Sequence, residues 1–140
     1  IIVMIGDGEF DEGTNWEALM SGAHYKLHNL VCILDKNQLQ MTGSTKELMD
    51  LGDVADKVSA FGWNVIEIAD GNDMRQVCQA LDQLPERDYQ KQDKPTFIIS
   101  NTIKGKGVSF MEGNHKWHGG GIGDDDLAKA LADVRKMRKV

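Results

Sequence analysis

Ile1-Ile2-Val3-Met4-Ile5-Gly6-Asp7-Gly8 opens the chain, and Leu30-Val31-Cys32-Ile33-Leu34-Asp35-Lys36-Asn37 carries the next apolar run. Both stretches are continuously apolar and then stop abruptly at polar residues and glycine. Continuous runs of this kind suit strands covered on both faces, as in parallel sheets, whereas alternation suits a sheet with one wet face. Thr96-Phe97-Ile98-Ile99-Ser100 repeats the pattern, and Trp63-Asn64-Val65-Ile66-Glu67-Ile68 is partly alternating.

Helical patterns lie between these runs. Trp16, Leu19, Met20, Ala23 and Leu27 recur at helical spacing, and Thr14 with Glu17 predicts a capping box at the start. Val54, Val58 and Phe61 form a second stripe ended by Gly62. Met74, Val77, Cys78, Leu81 and Leu84 form a third, with Asn72 as its N-cap. Leu127, Leu131 and Val134 form the last, after Asp124-Asp125-Asp126. The basic run Arg135-Lys136-Met137-Arg138-Lys139 then falls in the last turn, where cations favour the helix dipole. Strand–helix–strand alternation predicts an α/β fold, a parallel sheet with helices on both faces and right-handed crossovers. The 140 residues fit one domain.

Composition narrows the function. A net charge of −6 and the lack of a basic block to meet phosphates along a strand argue against nucleic-acid binding. No apolar stretch approaches the roughly 20 residues that span a bilayer, and no signal peptide is visible. Cys32 and Cys78 are too few for a disulfide framework, and both read as reduced core residues of a cytoplasmic protein.

The chemistry concentrates where strands end. In open α/β sheets ligands bind beyond the carboxyl ends of strands, which is where Gly6-Asp7-Gly8 falls. Glycine on either side of Asp7 permits a sharp turn and a close approach by a ligand. Asp35-Lys36-Asn37-Gln38-Leu39 ends the next strand. If the two strands are neighbours, Asp7 and Asn37 share a crevice. A carboxylate, an amide oxygen and a backbone carbonyl make an oxygen-only site, the chemistry Mg2+ prefers when phosphate and water complete its octahedron. Separately, each tripeptide also makes an ordinary turn; Gly-Asp-Gly, a capped helix, a buried strand and then Asn 30 residues after the Asp is far more specific.

Two other readings fail. Asp7-Gly8-Glu9-Phe10-Asp11 is not a calcium loop, because its sixth position is Glu12 rather than Gly and its twelfth is Ala18 rather than an acid. Lys104-Gly105-Lys106-Gly107 is not a P-loop, since Gly107 stands where Ser or Thr is needed.

Gly6-Asp7-Gly8-Glu9-Phe10-Asp11-Glu12-Gly13, then Trp16-Glu17-Ala18 and His24-Tyr25-Lys26-Leu27, resembles the transketolase family. Lys104-Gly105-Lys106-Gly107-Val108-Ser109-Phe110-Met111-Glu112, leading to Lys116-Trp117-His118-Gly119, resembles it again, in the family's order. The resemblance covers nearly the whole chain. It implies residues 1–140 as the later portion of a domain that binds thiamine diphosphate through a divalent metal, Mg2+ or else Ca2+ or Mn2+. Asp7 and Asn37 would bind the metal by side chains and Leu39 by its carbonyl. Gly8 would lie against the diphosphate, with Gly6, Glu9, Met41 and His118 completing the cofactor contacts. His118 would also reach the substrate region as a catalytic residue, most simply as a hydrogen-bond donor to an anionic oxygen. Glu12 matches a family carboxylate linked to communication between active sites across a subunit interface; its plainer role is to favour the following helix N-terminus. Lys36 departs from the family, many of whose members carry Asp or Asn beside the ligating Asn.

His24 and His28 read as structural or surface residues and His115 stays unassigned; Lys104 and Lys106 either place positive charge near phosphate or belong to a solvated loop. The activity implied is transfer of a two-carbon ketol unit between sugar phosphates, as in the pentose phosphate pathway. The partner implied is a C-terminal subunit or domain that binds the cofactor's pyrimidine, in a homodimer or heterotetramer. The start at Ile1 without Met gives the expectation that the family's earlier segment precedes it, and the final helix reads as a natural end. Two alternatives remain: another thiamine-diphosphate enzyme, such as deoxyxylulose-phosphate synthase or a ketoacid dehydrogenase component, and a noncatalytic domain retaining the fold.

Overall fold

A computed structural model describes residues 1–84 and 94–137. Arg138 and Lys139 of the basic run lie outside the described residues. Four strands, β1 (Ile2–Gly6), β2 (Val31–Lys36), β3 (Asn64–Ile68) and β4 (Thr96–Asn101), form one parallel sheet in the order β1-β2-β4-β3. The helices are α1 (Asp7–Phe10), α2 (Gly13–His24), α3 (Thr45–Leu48), α4 (Val54–Ala60), α5 (Met74–Asp82) and α6 (Asp124–Met137), with a 3-10 turn at His115–Trp117. Among the described residues no helix is long and apolar enough to cross a membrane.

Strand alternation divides the core. One face gathers Ile5, Cys32, Leu34, Phe97 and Ile99 with Phe10, Leu19, Val54, Val58 and Trp63 from α1, α2, α4 and the turn before β3. The other joins Val31, Ile68 and Ile98 to Ala80 of α5. Helices therefore cover both faces, as the apolar runs predict. The interior strand β4 is buried from Thr96 through Ser100. β1 differs from its apolar pattern: it is an edge strand, and Ile2 and Met4 are 63% and 67% exposed. Continuity of an apolar run does not by itself say that both faces are covered.

Three local expectations need correction. The start of α2 is capped not by Thr14 and Glu17 but two residues earlier, with Glu12 at the N-cap and no side-chain cap bond. The Glu9 carbonyl accepts from the Glu12 N–H at 3.1 Å and from Asn15 Nδ2 at 2.5 Å, joining α1 to α2 so tightly that Thr14 is already helical. α5 is capped by Asp73, which accepts from the Arg75 N–H, while Asn72 Oδ1 instead accepts from the Ile103 N–H at 2.8 Å. Cys78 is exposed on α5, and only Cys32 of the two cysteines is buried.

Candidate metal and diphosphate site

The parallel pairing of β1 with β2 sets Ile5 beside Leu34 and Gly6 beside Asp35, so the two strands end together. Beyond those ends lies a cleft of about 510 Å3 lined by Gly6, Asp7, Gly8, Glu9, Asn37, Leu39, Gln40, Met41, Lys104 and His118. Every cofactor and metal residue expected from the sequence thus lines one cleft. Glu12 does not; it is exposed at the N-terminus of α2. A larger hollow of about 660 Å3, mostly apolar, lies between α5 and residues 103–111 and contains none of the expected ligands.

Asp7 is the buried charge of this cleft, 3% exposed. Its Oδ2 accepts from the Gln38 N–H at 2.5 Å. Desolvation pushes its carboxyl up to about 6, helped by the nearby Asp35 charge and opposed chiefly by the Gln38 hydrogen bond and Lys36. The raised value has a definite sign. The folded state holds a proton on Asp7 that the unfolded chain loses near pH 4, so ionising Asp7 destabilises the fold as pH rises through about 6. The penalty amounts to roughly 3 kcal/mol above that pH. A bound dication would relieve it.

Alternation along β2 explains why Lys36 is tolerated. Cys32 and Leu34 face the α4 side, and Lys36 follows them into a separate polar hollow with Asp53 and Glu67. Asp35 takes the other face, where Thr102 Oγ1 donates to its Oδ1. Asn37 then turns back at the strand end, and its Oδ1 accepts from the Leu39 N–H at 3.0 Å. An amide oxygen has a second lone pair, so this bond leaves capacity for a ligand.

Residues 104–113 close into a ring of turns. The Lys106 N–H donates to Ile103 O, the Val108 N–H to Gly105 O and the Gly113 N–H to Lys104 O. The ring separates the two lysines: Lys104 lines the cleft, while Lys106 pairs with Glu112 at 3.7 Å. Gly105 has φ +74°, and a Cβ there would stand 2.6 Å from the Met111 carbonyl oxygen. Gly105→Ala is therefore expected to open the ring and destabilise the protein by at least about 2 kcal/mol, measured as a lowered denaturant midpoint. Full retention of that midpoint would show the ring is not closed by Gly105.

His118 follows the 3-10 turn, its N–H donating to His115 O. Trp117 meets Phe110 edge-on at 5.2 Å, which anchors this segment. His24, His28 and His115 do not line the cleft. Ser109 fastens the segment to α6: its N–H and Oγ donate to Asp133 Oδ2 at 3.1 and 2.6 Å. The Ser109 hydroxyl, with Lys136, holds the Asp133 carboxyl down at about 2. A depressed acid stabilises the fold above its unfolded value, near pH 4, and loses that contribution as pH falls toward about 2. Ser109→Ala should move the Asp133 midpoint back up toward the ordinary carboxylate range in an NMR titration; an unmoved midpoint would contradict the contact.

Gln40 is the cleft residue that the sequence does not announce. Its position depends on a short hairpin, with Gln40 N–H donating to Gly43 O and Thr45 N–H to Gln38 O, that no apolar period marks. Among the described residues there is no group of three or more His, Cys, Asp or Glu side chains fit to hold a metal. The donor set is instead one carboxylate, one amide oxygen and backbone. That set fits a hard cation completed by phosphate oxygens, and Gly8, where a Cβ would meet Gln40 Cγ at 3.3 Å, leaves the backbone bare beside it.

Residues 1–135 match the family described as transketolase, thiamine diphosphate binding domain. The chain belongs to the transketolase family. Among relatives, it is 44% identical over 132 residues to an apulose-4-phosphate transketolase subunit of Phocaeicola vulgatus, covering 94% of this chain and 45% of that protein. It is 39% identical to a 6-deoxy-6-sulfo-D-fructose transketolase subunit of a Clostridium species, covering 97% and 48%. The chain thus spans about half the length of these curated relatives. The transketolase structure from Leishmania mexicana superposes with a TM-score of 0.84 at 32% identity, over 96% of this chain and 19% of that one. The fold is accordingly a transketolase thiamine-diphosphate-binding α/β domain, and its cleft lies where strands of that sheet end.

Proposed function

We propose that this chain is the metal- and diphosphate-holding part of a transketolase that moves a two-carbon ketol unit from a ketose phosphate to an aldose phosphate. The observation that carries this is the convergence of Asp7, Gly8, Asn37, Leu39, Lys104 and His118 on one cleft in a transketolase-family domain. Thiamine diphosphate, when bound, supplies the carbanion chemistry of ketol transfer. The chain's own share is binding and orientation. Asp7, the Asn37 amide oxygen and the Leu39 carbonyl hold Mg2+. Gly6, Gly8, Glu9 and Met41 border the diphosphate. Lys104 offers a cation and His118 a ring N–H to anionic oxygens, of phosphate or of substrate.

A second subunit or domain that binds the pyrimidine completes the enzyme, in keeping with relatives named as transketolase subunits. Glu12, exposed at the start of α2, would serve contacts across a subunit interface in a homodimer or heterotetramer. We assign the assembly to the cytoplasm. The chain without its partner is expected to be inactive. The test is a substrate panel on the assembled enzyme: xylulose 5-phosphate, apulose 4-phosphate and 6-deoxy-6-sulfofructose as donors, against pyruvate. Ketol transfer from either phosphorylated donor supports the proposal; transfer from the sulfonated sugar alone would contradict the ketose-phosphate assignment, and turnover of pyruvate with none of the sugars would refute ketol transfer.

A further inference from the structure

Asp11 and Gln40 are 29 residues apart, yet Gln40 Nε2 donates to Asp11 Oδ2 at 2.5 Å, with both residues half-buried. Asp11 is the residue that ends α1, the helix whose first residue is Asp7. Gln40 follows Leu39 directly and stands on the hairpin that continues from Asn37. The side-chain bond therefore ties the turn carrying Asp7 to the loop carrying Asn37 and Leu39.

The peptide geometry shows what the tie controls. Leu39 and Ser44 face each other as a bridge whose two bonds are Gln40 N–H to Gly43 O and Thr45 N–H to Gln38 O. Leu39 is thus in a non-hydrogen-bonded pair, and its own carbonyl points away from the hairpin partner. That carbonyl shares a planar trans peptide with the Gln40 N–H, so fixing Gln40 fixes the direction of the Leu39 oxygen. The same side chain lies over Gly8, 3.3 Å from where a Cβ would be. One residue therefore limits the loop's approach to Gly8, orients a carbonyl at the cleft and anchors to α1.

We propose that the Asp11–Gln40 pair is a positioning clamp that sets the Leu39 carbonyl and Asn37 against Asp7 for metal and diphosphate binding. Neither side chain is a ligand in this role. The inference rests on the reading of the cleft as a metal–diphosphate site. Asp11 Oδ1 is also buried with no hydrogen-bond partner among the described residues, so the hold on this carboxylate depends on Gln40.

The test is a double-mutant cycle read by calorimetric affinity for thiamine diphosphate in saturating Mg2+, on the intact native enzyme that contains this chain. Asp11→Ala and Gln40→Ala should each weaken binding about tenfold, and the double variant no more than either single. Asp11→Asn, which keeps an acceptor oxygen, should bind like the parent. Amide exchange at Gln40 and Thr45 should quicken in both alanine variants and not in Asp11→Asn. Additive losses, parent-like binding by Gln40→Ala, or failure of Asp11→Asn to rescue would overturn the clamp while leaving the site intact. No Mg2+-dependent binding by the parent would overturn the site and the clamp together.

Discussion

Replacing Asp7 with Asn is expected to do two opposite things: stabilise the metal-free protein and abolish its hold on the cofactor. The buried carboxylate is ionised at neutral pH against its environment, since its folded value of about 6 lies well below pH 7.5 but well above that of a free Asp. Asn is neutral, near isosteric, and retains an oxygen to accept the Gln38 N–H. The gain in stability should approach roughly 3 kcal/mol above pH 6 and vanish below about pH 4, where Asp7 is protonated in both states. Parallel denaturant titrations at pH 4 and pH 7.5 in chelator measure it. Mg2+-dependent binding of thiamine diphosphate should meanwhile fall by at least about 100-fold, because even groups behind a metal ligand are worth about 10–100-fold. A site whose removal stabilises the fold is one kept for binding. Unchanged stability at pH 7.5 with unchanged binding would sink both halves of the prediction.

Phe10→Ala should be the most damaging core substitution near the cleft. Phe10 is fully buried, three residues after Asp7, and packs against Trp16 at 4.6 Å and Phe97 at 5.4 Å between ring centroids. Truncation removes that contact and leaves a cavity beneath α1, at a cost of about 3–5 kcal/mol. That is a large share of the stability of an ordinary domain, which is about 5–15 kcal/mol. Phe10→Leu, which fills much of the same volume, should cost about 1–2 kcal/mol. The denaturant midpoints of the two variants check the ordering; a loss below about 1 kcal/mol for the alanine variant would mean that α1 is not held by this ring. Because α1 begins at Asp7, the alanine variant should also lose metal affinity, which links packing on one sheet face to chemistry at the strand ends.

The legibility of the molecule in its sequence follows from how local each signal is. Apolar runs announce strands whether or not both faces are covered, so β1, β2 and β4 are readable although β1 is an exposed edge, and adjacent strand ends then bring Asp7 to Asn37. Alternation even separates Asp35 from Lys36, although nothing in the tripeptide says which hollow Lys36 enters. Features set by tertiary contact were not readable. The capping pattern at Thr14 lost to a turn in which the Glu9 carbonyl receives two donors. Asn72 was drawn away from α5 by the Ile103 N–H. Cys78 lies on the stripe Met74-Val77-Leu81 in sequence, yet it is exposed, because α5 buries little beyond Ala80. Gln40 depends on a hairpin of polar residues, and polar turns carry no period. Family membership is carried by the order of the motifs at residues 6–13 and 104–112, which no local period of apolar residues encodes.

The most direct measurement is a calorimetric titration of thiamine diphosphate into the assembled protein, first with Mg2+ and then after chelation. Saturable binding that requires Mg2+ and disappears both on chelation and in Asp7→Ala is the predicted result. Binding of equal strength with and without the metal, or in Asp7→Ala, would contradict a site built from Asp7, Asn37 and the Leu39 carbonyl.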